Sequence, residues 1–299
     1  MSRVLVLRPP AKINLTLRVG PARGDGFHDV RTLLQAVALS DTLTVTARRG
    51  PFALAAGGPG VPTDDTNLVS RAATALWRAL GREGEPRDAH VKLVKQIPMA
   101  AGLGGGSADA AAALRALEAL SGRRLSSARR LALAAELGSD VPFAAFGGTA
   151  LGMGRGERLE RLKLARPFRA LLVVPDWRIS TADAFRQIDL KKFALTRWKS
   201  NLRFASQLRR APLQPGRALR LGNSFEDVLG GKRSEFLALR ERLLKAGAED
   251  VRLSGSGSTV LGIVPSGVAS HVVAGRLAGS EPRYAVKSES AGLRIEFLP

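Results

Sequence analysis

The sequence predicts a two-domain protein that mixes β-strands with α-helices, and three observations carry that expectation. The chain has 299 residues, enough to bury a sizeable core and more than one domain usually needs. Its hydrophobic content of 45% suits a folded protein rather than a disordered one. Runs of strand-like alternation interchange with runs of helical spacing along the whole chain. A change of character near residues 161–167 marks a boundary, giving one domain over 1–160 and a second over 161–299.

The first part opens with strands. Residues 3–8 read as a strand around the apolar run 4–7, stopped by Pro9-Pro10, and 11–19 form a second run. Residues 20–26 carry a proline and three glycines, the composition of a hairpin loop. Strands follow over 30–38 and 42–47, with Ser40-Asp41 as the turn between them. Residues 57–62 are a loop. Over 67–80 the spacing is helical, with Leu68, Ala72, Ala75, Leu76 and Leu80 on one face. Residues 91–97 read as a strand and 108–120 as an Ala-rich helix. Another helix spans 126–137, with Ser126 as its N-cap and Gly138 as its stop. Residues 147–156 are a glycine-rich strand and turn.

The second part begins with a strand over 170–175. A short helix opens at Ser180-Thr181-Ala182-Asp183, where either hydroxyl suits the cap and Asp183 suits the first turn. A basic stretch covers 191–220. An amphipathic helix over 235–246 ends at Gly247. Residues 251–254, 255–258 and 259–264 read as strand, tight turn and strand. A helix over 268–277 and a strand over 294–298 complete the series, with no internal repeat.

Composition excludes several chemistries. There are no cysteines, so disulfides, thiol nucleophiles and Cys-ligated metals are ruled out. His28, His90 and His271 lack zinc-ligand spacing. No apolar run approaches the ~20 residues that span a bilayer, and the run at 4–7 is too short for a signal peptide. A cytoplasmic protein with no membrane partner is the expectation. The formal charge of +20 and a pI near 11.5 invite a nucleic-acid reading. Against it, aromatic residues make up only 5% of the chain, so a base-stacking RNA surface is not expected. A solvated basic face, or attraction of anionic substrates, remains open for the charge. The expected state is a monomer or weak homodimer.

The segment Pro98-Met99-Ala100-Ala101-Gly102-Leu103-Gly104-Gly105-Gly106-Ser107 is the most informative in the chain. Glycines at a strand-to-helix junction let backbone N–H groups approach a bulky anion, and the following helix turns its positive end to the same place. No Lys follows Gly106-Ser107, as a Walker loop needs, and the spacing does not fit a dinucleotide fingerprint. The loop therefore indicates a phosphate without naming the protein that binds it.

Further motifs stand in order around it. They are Pro10-Ala11-Lys12-Ile13-Asn14, Asp25-Gly26-Phe27-His28, Gly138-Ser139-Asp140-Val141-Pro142 and Leu253-Ser254-Gly255-Ser256-Gly257-Ser258. Together with the glycine loop, which continues into Ala108, they resemble the GHMP kinases over nearly the whole chain. That resemblance implies an α+β fold of two domains, a ribosomal-protein-S5-like N-terminal one and a ferredoxin-like C-terminal one, with the site between them. It implies ATP and Mg2+ and an alcohol acceptor. The flanking segments most resemble those of the branch that acts on a CDP-linked methylerythritol. Other acceptors of the family, such as mevalonate derivatives, homoserine or sugars, are the alternative.

By the same resemblance, residues 98–108 hold the ATP phosphates, and the Ser107 hydroxyl reaches a phosphate oxygen or magnesium ion or serves as a helix N-cap. Asp140 would be the catalytic carboxylate that takes the acceptor's proton. Lys12 would be its partner, offsetting charge near the acceptor oxygen. Asn14, on the same strand face as Lys12, would bond acceptor hydroxyls. Phe27 and His28 would form the cytosine pocket, with Phe185 as a second aromatic wall. Asn67 and Lys95 would line the adenosine side. One departure from the family pattern stands at Asn223-Ser224-Phe225-Glu226, where Ser224 replaces an acidic residue.

Overall fold

The computed structural model describes residues 3–58, 60–190, 208, 213–293 and 295–298. Most of the basic stretch, residues 191–207 and 209–212, lies outside the described residues. Three sheets organise the rest. The first runs β13-β1-β4-β6-β5, formed by Ile295–Leu298, Val4–Leu7, Thr42–Pro51, Arg87–Val94 and Ala53–Gly57. The second is β2-β3-β7-β8, from Pro10–Ala22, His28–Ser40, Thr149–Met153 and Arg158–Arg161. The third is β10-β11-β9-β12, from Asp250–Leu253, Val260–Val264, Arg169–Val173 and Arg283–Lys287. β5 and β6 pair in parallel, whereas the other ladders are antiparallel. The far strand β13 crosses back to pair with β1, Val4 opposite Leu298.

Helices α1 (Leu68–Ala79), α2 (Gly105–Ser121), α3 (Ser127–Leu137) and α4 (Val141–Phe146) pack on the first sheet. The run of buried alanines along α2, residues 110–113 with 108 and 116, leaves little side-chain bulk between it and its neighbours. β9 is buried on both faces, which explains its unbroken apolar run. Ala170 and Leu172 face a core shared with Ile13, Leu15 and Leu33 of the second sheet. Leu171 and Val173 face a core built with α5 (Thr181–Leu190) and α7 (Arg233–Lys245). α6 (Pro215–Leu219) and α8 (Ser270–Arg276) complete the helices described. Among the described residues no helix is long and apolar enough to cross a membrane.

Local signals explain most boundaries. Asn67 caps α1 by accepting the Val69 N–H at 2.9 Å, and Ser126 caps α3 by accepting the Arg129 N–H at 3.2 Å. Ser180 accepts the Asp183 N–H at 3.3 Å at the start of α5. The hairpin loop is narrower than its glycine content suggests, because β2 runs on to Ala22 and the Arg23 N–H donates to the Phe27 carbonyl at 2.6 Å. The strand expected over 91–97 occupies Arg87–Val94 instead. Residues 96 and 97 leave the sheet because their N–H groups donate to the Asp41 carboxylate at 2.6 and 2.9 Å.

Candidate active site

The glycine segment forms one wall of a cleft of about 380 Å³. Residues 98–107 line it together with Asn67 and Lys95. Ala108 does not; it is buried in the core behind the loop. Gly104 is the residue before α2 and is left-handed, with φ of 70°. Ser107 is therefore inside the first turn rather than at the N-cap. The first N–H groups of α2 are left for a ligand, as an anion site requires.

Two close approaches fix this loop. A side chain at Gly102, φ 76°, would place its first carbon 2.7 and 2.8 Å from the carbonyl oxygens of Ser254 and Gly257. One at Gly104 would meet Lys12 Cγ at 2.8 Å. The loop is thus pressed between the 254–258 turn and β2. Thr259 Oγ1 donates to the Ala101 carbonyl at 2.6 Å and the Lys12 N–H donates to the Leu103 carbonyl at 2.9 Å. Asn223, buried beneath, donates from Nδ2 to the carbonyls of Leu253 and Gly255 at 2.9 and 2.7 Å.

Alternation along β2 sends Ala11, Ile13 and Leu15 into the core and Lys12 and Asn14 to the opposite face. Lys12 Nζ donates to Asn14 Oδ1 at 2.9 Å and stands 3.3 Å from Asp140 Oδ2. Asn14 Nδ2 donates to Thr32 Oγ1 at 2.7 Å, which fixes the amide. Asp140 has the backbone position of a cap on α4, yet its side chain makes no capping bond. The lysine is buried, whereas the carboxylate is 40% exposed, so its oxygens are open to a ligand.

Beneath the cleft lies a second ion cluster. Lys95 Nζ bonds Asp41 Oδ2 and lies 2.7 Å from Asp109 Oδ2. Asp41 and Asp109 are buried, and among the described residues Asp109 Oδ1 has no hydrogen-bond partner. Burial pushes the Asp109 carboxyl up to about 7; Lys95 opposes the rise and Asp41 adds to it. Burial works against the Lys95 charge, but the two carboxylates outweigh it and its pKa is raised. The ammonium also sits against Gly105, at 3.1 Å from where a side chain would begin. Lys95 therefore anchors the start of α2 as well as lining the cleft. Asn67 likewise spends its side chain on the α1 cap and on the Pro62 carbonyl at 2.7 Å.

A third group is aromatic. His28 stacks on Phe185 with ring centres 5.0 Å apart and 24° between planes. Phe225 meets Phe185 edge-on at 5.0 Å. His28 Nε2 lies 2.8 Å from Asp189 Oδ1. Phe27 is 46% exposed, and the Arg155 guanidinium covers its ring at 4.7 Å. Sequence reasoning does not find Phe225, Arg155, Asp189 or Asp41. The Asn223-Ser224-Phe225 segment draws notice only for its missing acid; Ser224 accepts the Val19 N–H at 3.2 Å instead.

Family models match both parts of the chain, "GHMP kinases N terminal domain" over residues 67–148 and "GHMP kinases C terminal" over residues 204–278. The chain belongs to the GHMP kinases. This GHMP kinase is 42% identical over 267 residues to the 4-diphosphocytidyl-2-C-methyl-D-erythritol kinase of Pelotomaculum thermopropionicum, covering 89% of this chain and 91% of that one. It is 39% identical to the same-named enzyme of Moorella thermoacetica, over 95% and 98% of the two chains. A crystal structure of 4-(cytidine 5'-diphospho)-2C-methyl-D-erythritol kinase superposes with a TM-score of 0.72 at 32% identity, covering 97% of this GHMP kinase and all of that chain. A homoserine kinase from Cytophaga hutchinsonii superposes with a TM-score of 0.75 at 20% identity, a likeness of fold alone.

Proposed function

We propose that this GHMP kinase moves the γ-phosphoryl group of ATP to the C2 hydroxyl of 4-diphosphocytidyl-2-C-methyl-D-erythritol. The products are the 2-phosphate and ADP, in isoprenoid precursor synthesis by the non-mevalonate route. One observation carries the reading: the Lys12–Asp140 pair shares a wall with the glycine cleft, since the Lys12 stem packs against Gly104. A phosphate held over the N-terminus of α2 would end beside the exposed Asp140 carboxylate.

The chemistry follows from the groups. Asp140 accepts the hydroxyl proton as the C2 oxygen bonds to the γ-phosphorus and the bond to the ADP oxygen breaks. Lys12 offsets negative charge on the acceptor side, and the backbone N–H groups of the loop do so on the ATP side. Asn14, held by Thr32, would orient acceptor hydroxyls. Ser107 would hold Mg2+, a hard cation suited to hydroxyl and phosphate oxygens, which would neutralise phosphate charge. Among the described residues no cluster of three or more His, Cys, Asp or Glu forms a cage for it.

Acceptor choice rests on the aromatic group. Phe27 offers an exposed ring face, and the stacked His28 and Phe185 a second surface, which together suit a nucleobase better than mevalonate or homoserine. ADP release measured with the CDP-linked substrate, with CMP-free methylerythritol, and with mevalonate and homoserine tests this. Turnover restricted to the first is expected. Equal turnover on a CMP-free acceptor would reject it.

A further inference from the structure

A second cavity, of about 320 Å³, opens at one end of the third sheet, and it shares no residue with the glycine cleft. Arg166, Arg169, Arg217, Arg220 and Lys287 reach its lining, against one carboxylate, Glu249. Among the described residues none of these six side chains enters an ion pair; Arg166 donates only to Ser266 Oγ at 3.2 Å. Nor can the rest of the basic stretch supply a counter-charge, because no Asp or Glu occurs between Asp189 and Glu226.

The arrangement is unfavourable to the fold by itself. Arg169 and Lys287 stand directly opposite each other on neighbouring antiparallel strands. Such cross-strand partners have β-carbons ~5 Å apart, and like charges there destabilise a sheet. Arg217 and Arg220 repeat the conflict one helical turn apart, at α6 and its C-cap. Two like-charge pairs from separate elements thus converge on one concavity. Solvated basic faces spread their charges; here they are focused over a pocket.

We propose that this cavity is an anion site for a compound carrying two or three linked phosphates. Several guanidinium groups give paired donors to phosphate oxygens, the geometry in which Arg surpasses Lys. A small anion fits better than a nucleic-acid strand. Among the described residues the one aromatic of the lining, Phe168, is buried and offers no free ring face to a base.

Calorimetric titration of inorganic tripolyphosphate into the full chain tests the assignment. The wild type is expected to show two binding events, one in the ATP cleft and one here. Arg169→Gln with Lys287→Gln should lose the second event or weaken it by about tenfold or more. Arg217→Gln with Arg220→Gln, which approaches from the helix side, should do the same. In both variants kcat and KM for ATP should stay within about twofold. The first pair should also raise Tm at low salt without ligand, since it relieves the cross-strand repulsion. A single event in the wild type, or two unchanged events in both variants, would overturn the proposal. So would displacement of tripolyphosphate from this site by a twelve-residue oligouridylate that binds more tightly, which would make the face a nucleic-acid surface.

Discussion

Lys12 and Asp140 form a pair with unequal access to solvent. The ammonium is buried and tied to Asn14, whereas the carboxylate keeps 40% of its surface open, so the acid is the more accessible member of the pair. Asp140→Asn keeps the shape and removes the basic oxygen. Turnover is expected to fall by ~10²–10⁴, the usual worth of a positioned general base, with ATP affinity nearly unchanged. Near-normal turnover would exclude Asp140 as the base. Phe27 is the other residue whose role can be isolated. Phe27→Ala should raise KM for the CDP-linked substrate by the equivalent of ~1–3 kcal/mol of lost stacking, with little effect on KM for ATP. Matching changes in both constants would place the ring elsewhere in the cycle.

At the scale of elements, the glycine loop holds glycines that the fold crowds and others that it leaves open. Gly102 is left-handed and faces backbone carbonyls at 2.7 and 2.8 Å, which cannot move cheaply. Gly102→Ala should therefore cost ~1–3 kcal/mol in a denaturation experiment as well as ATP affinity. Gly106 is different, for a first side-chain carbon there would meet only Leu68 at an ordinary 3.7 Å. Gly106→Ala should stabilise α2 by up to ~1 kcal/mol while weakening ATP binding. A loss of both stability and affinity at Gly106 would contradict this division.

The same loop shows what sequence makes legible. Its strand–glycine–helix succession is local, as is the Ser126 cap, and these are read correctly; at α5 the sequence leaves Ser180 and Thr181 both open, and the Asn67 cap is not read at all. Asp41 is not readable, because Ser40-Asp41 has the composition of an exposed turn. Only the fold brings residues 95–97 over it and buries its carboxylate. Phe225 and Asn223 escape for a similar reason, since their partners Phe185 and the 253–255 turn are distant in sequence. The β5 strand carries no β-branched residue and exists through its parallel pairing with β6.

At the scale of the molecule, the Asp41–Lys95–Asp109 cluster joins the β3–β4 turn, the segment after β6 and helix α2. Its titration therefore bears on global stability. With its folded pKa near 7 against 3.8 for the free side chain, Asp109 keeps a proton in the folded state that the unfolded chain releases. Its contribution to stability is largest below about pH 4 and is lost as pH rises to about 7. Thermal unfolding of Asp109→Asn beside the wild type should show an advantage for the variant that grows from pH 4 to pH 7. A constant offset would mean that Asp109 does not titrate in that window.

The pairing of β13 with β1 also sets an order of events. A chain leaving the ribosome exposes Val4–Leu7 long before Ile295–Leu298. Throughout synthesis the outer side of β1 is an unpaired strand edge, a template for association with other nascent chains. The sheet on which α2 packs is completed only after the strands of the third sheet have emerged, so the part of this kinase that carries the glycine loop is finished with residues translated after the rest.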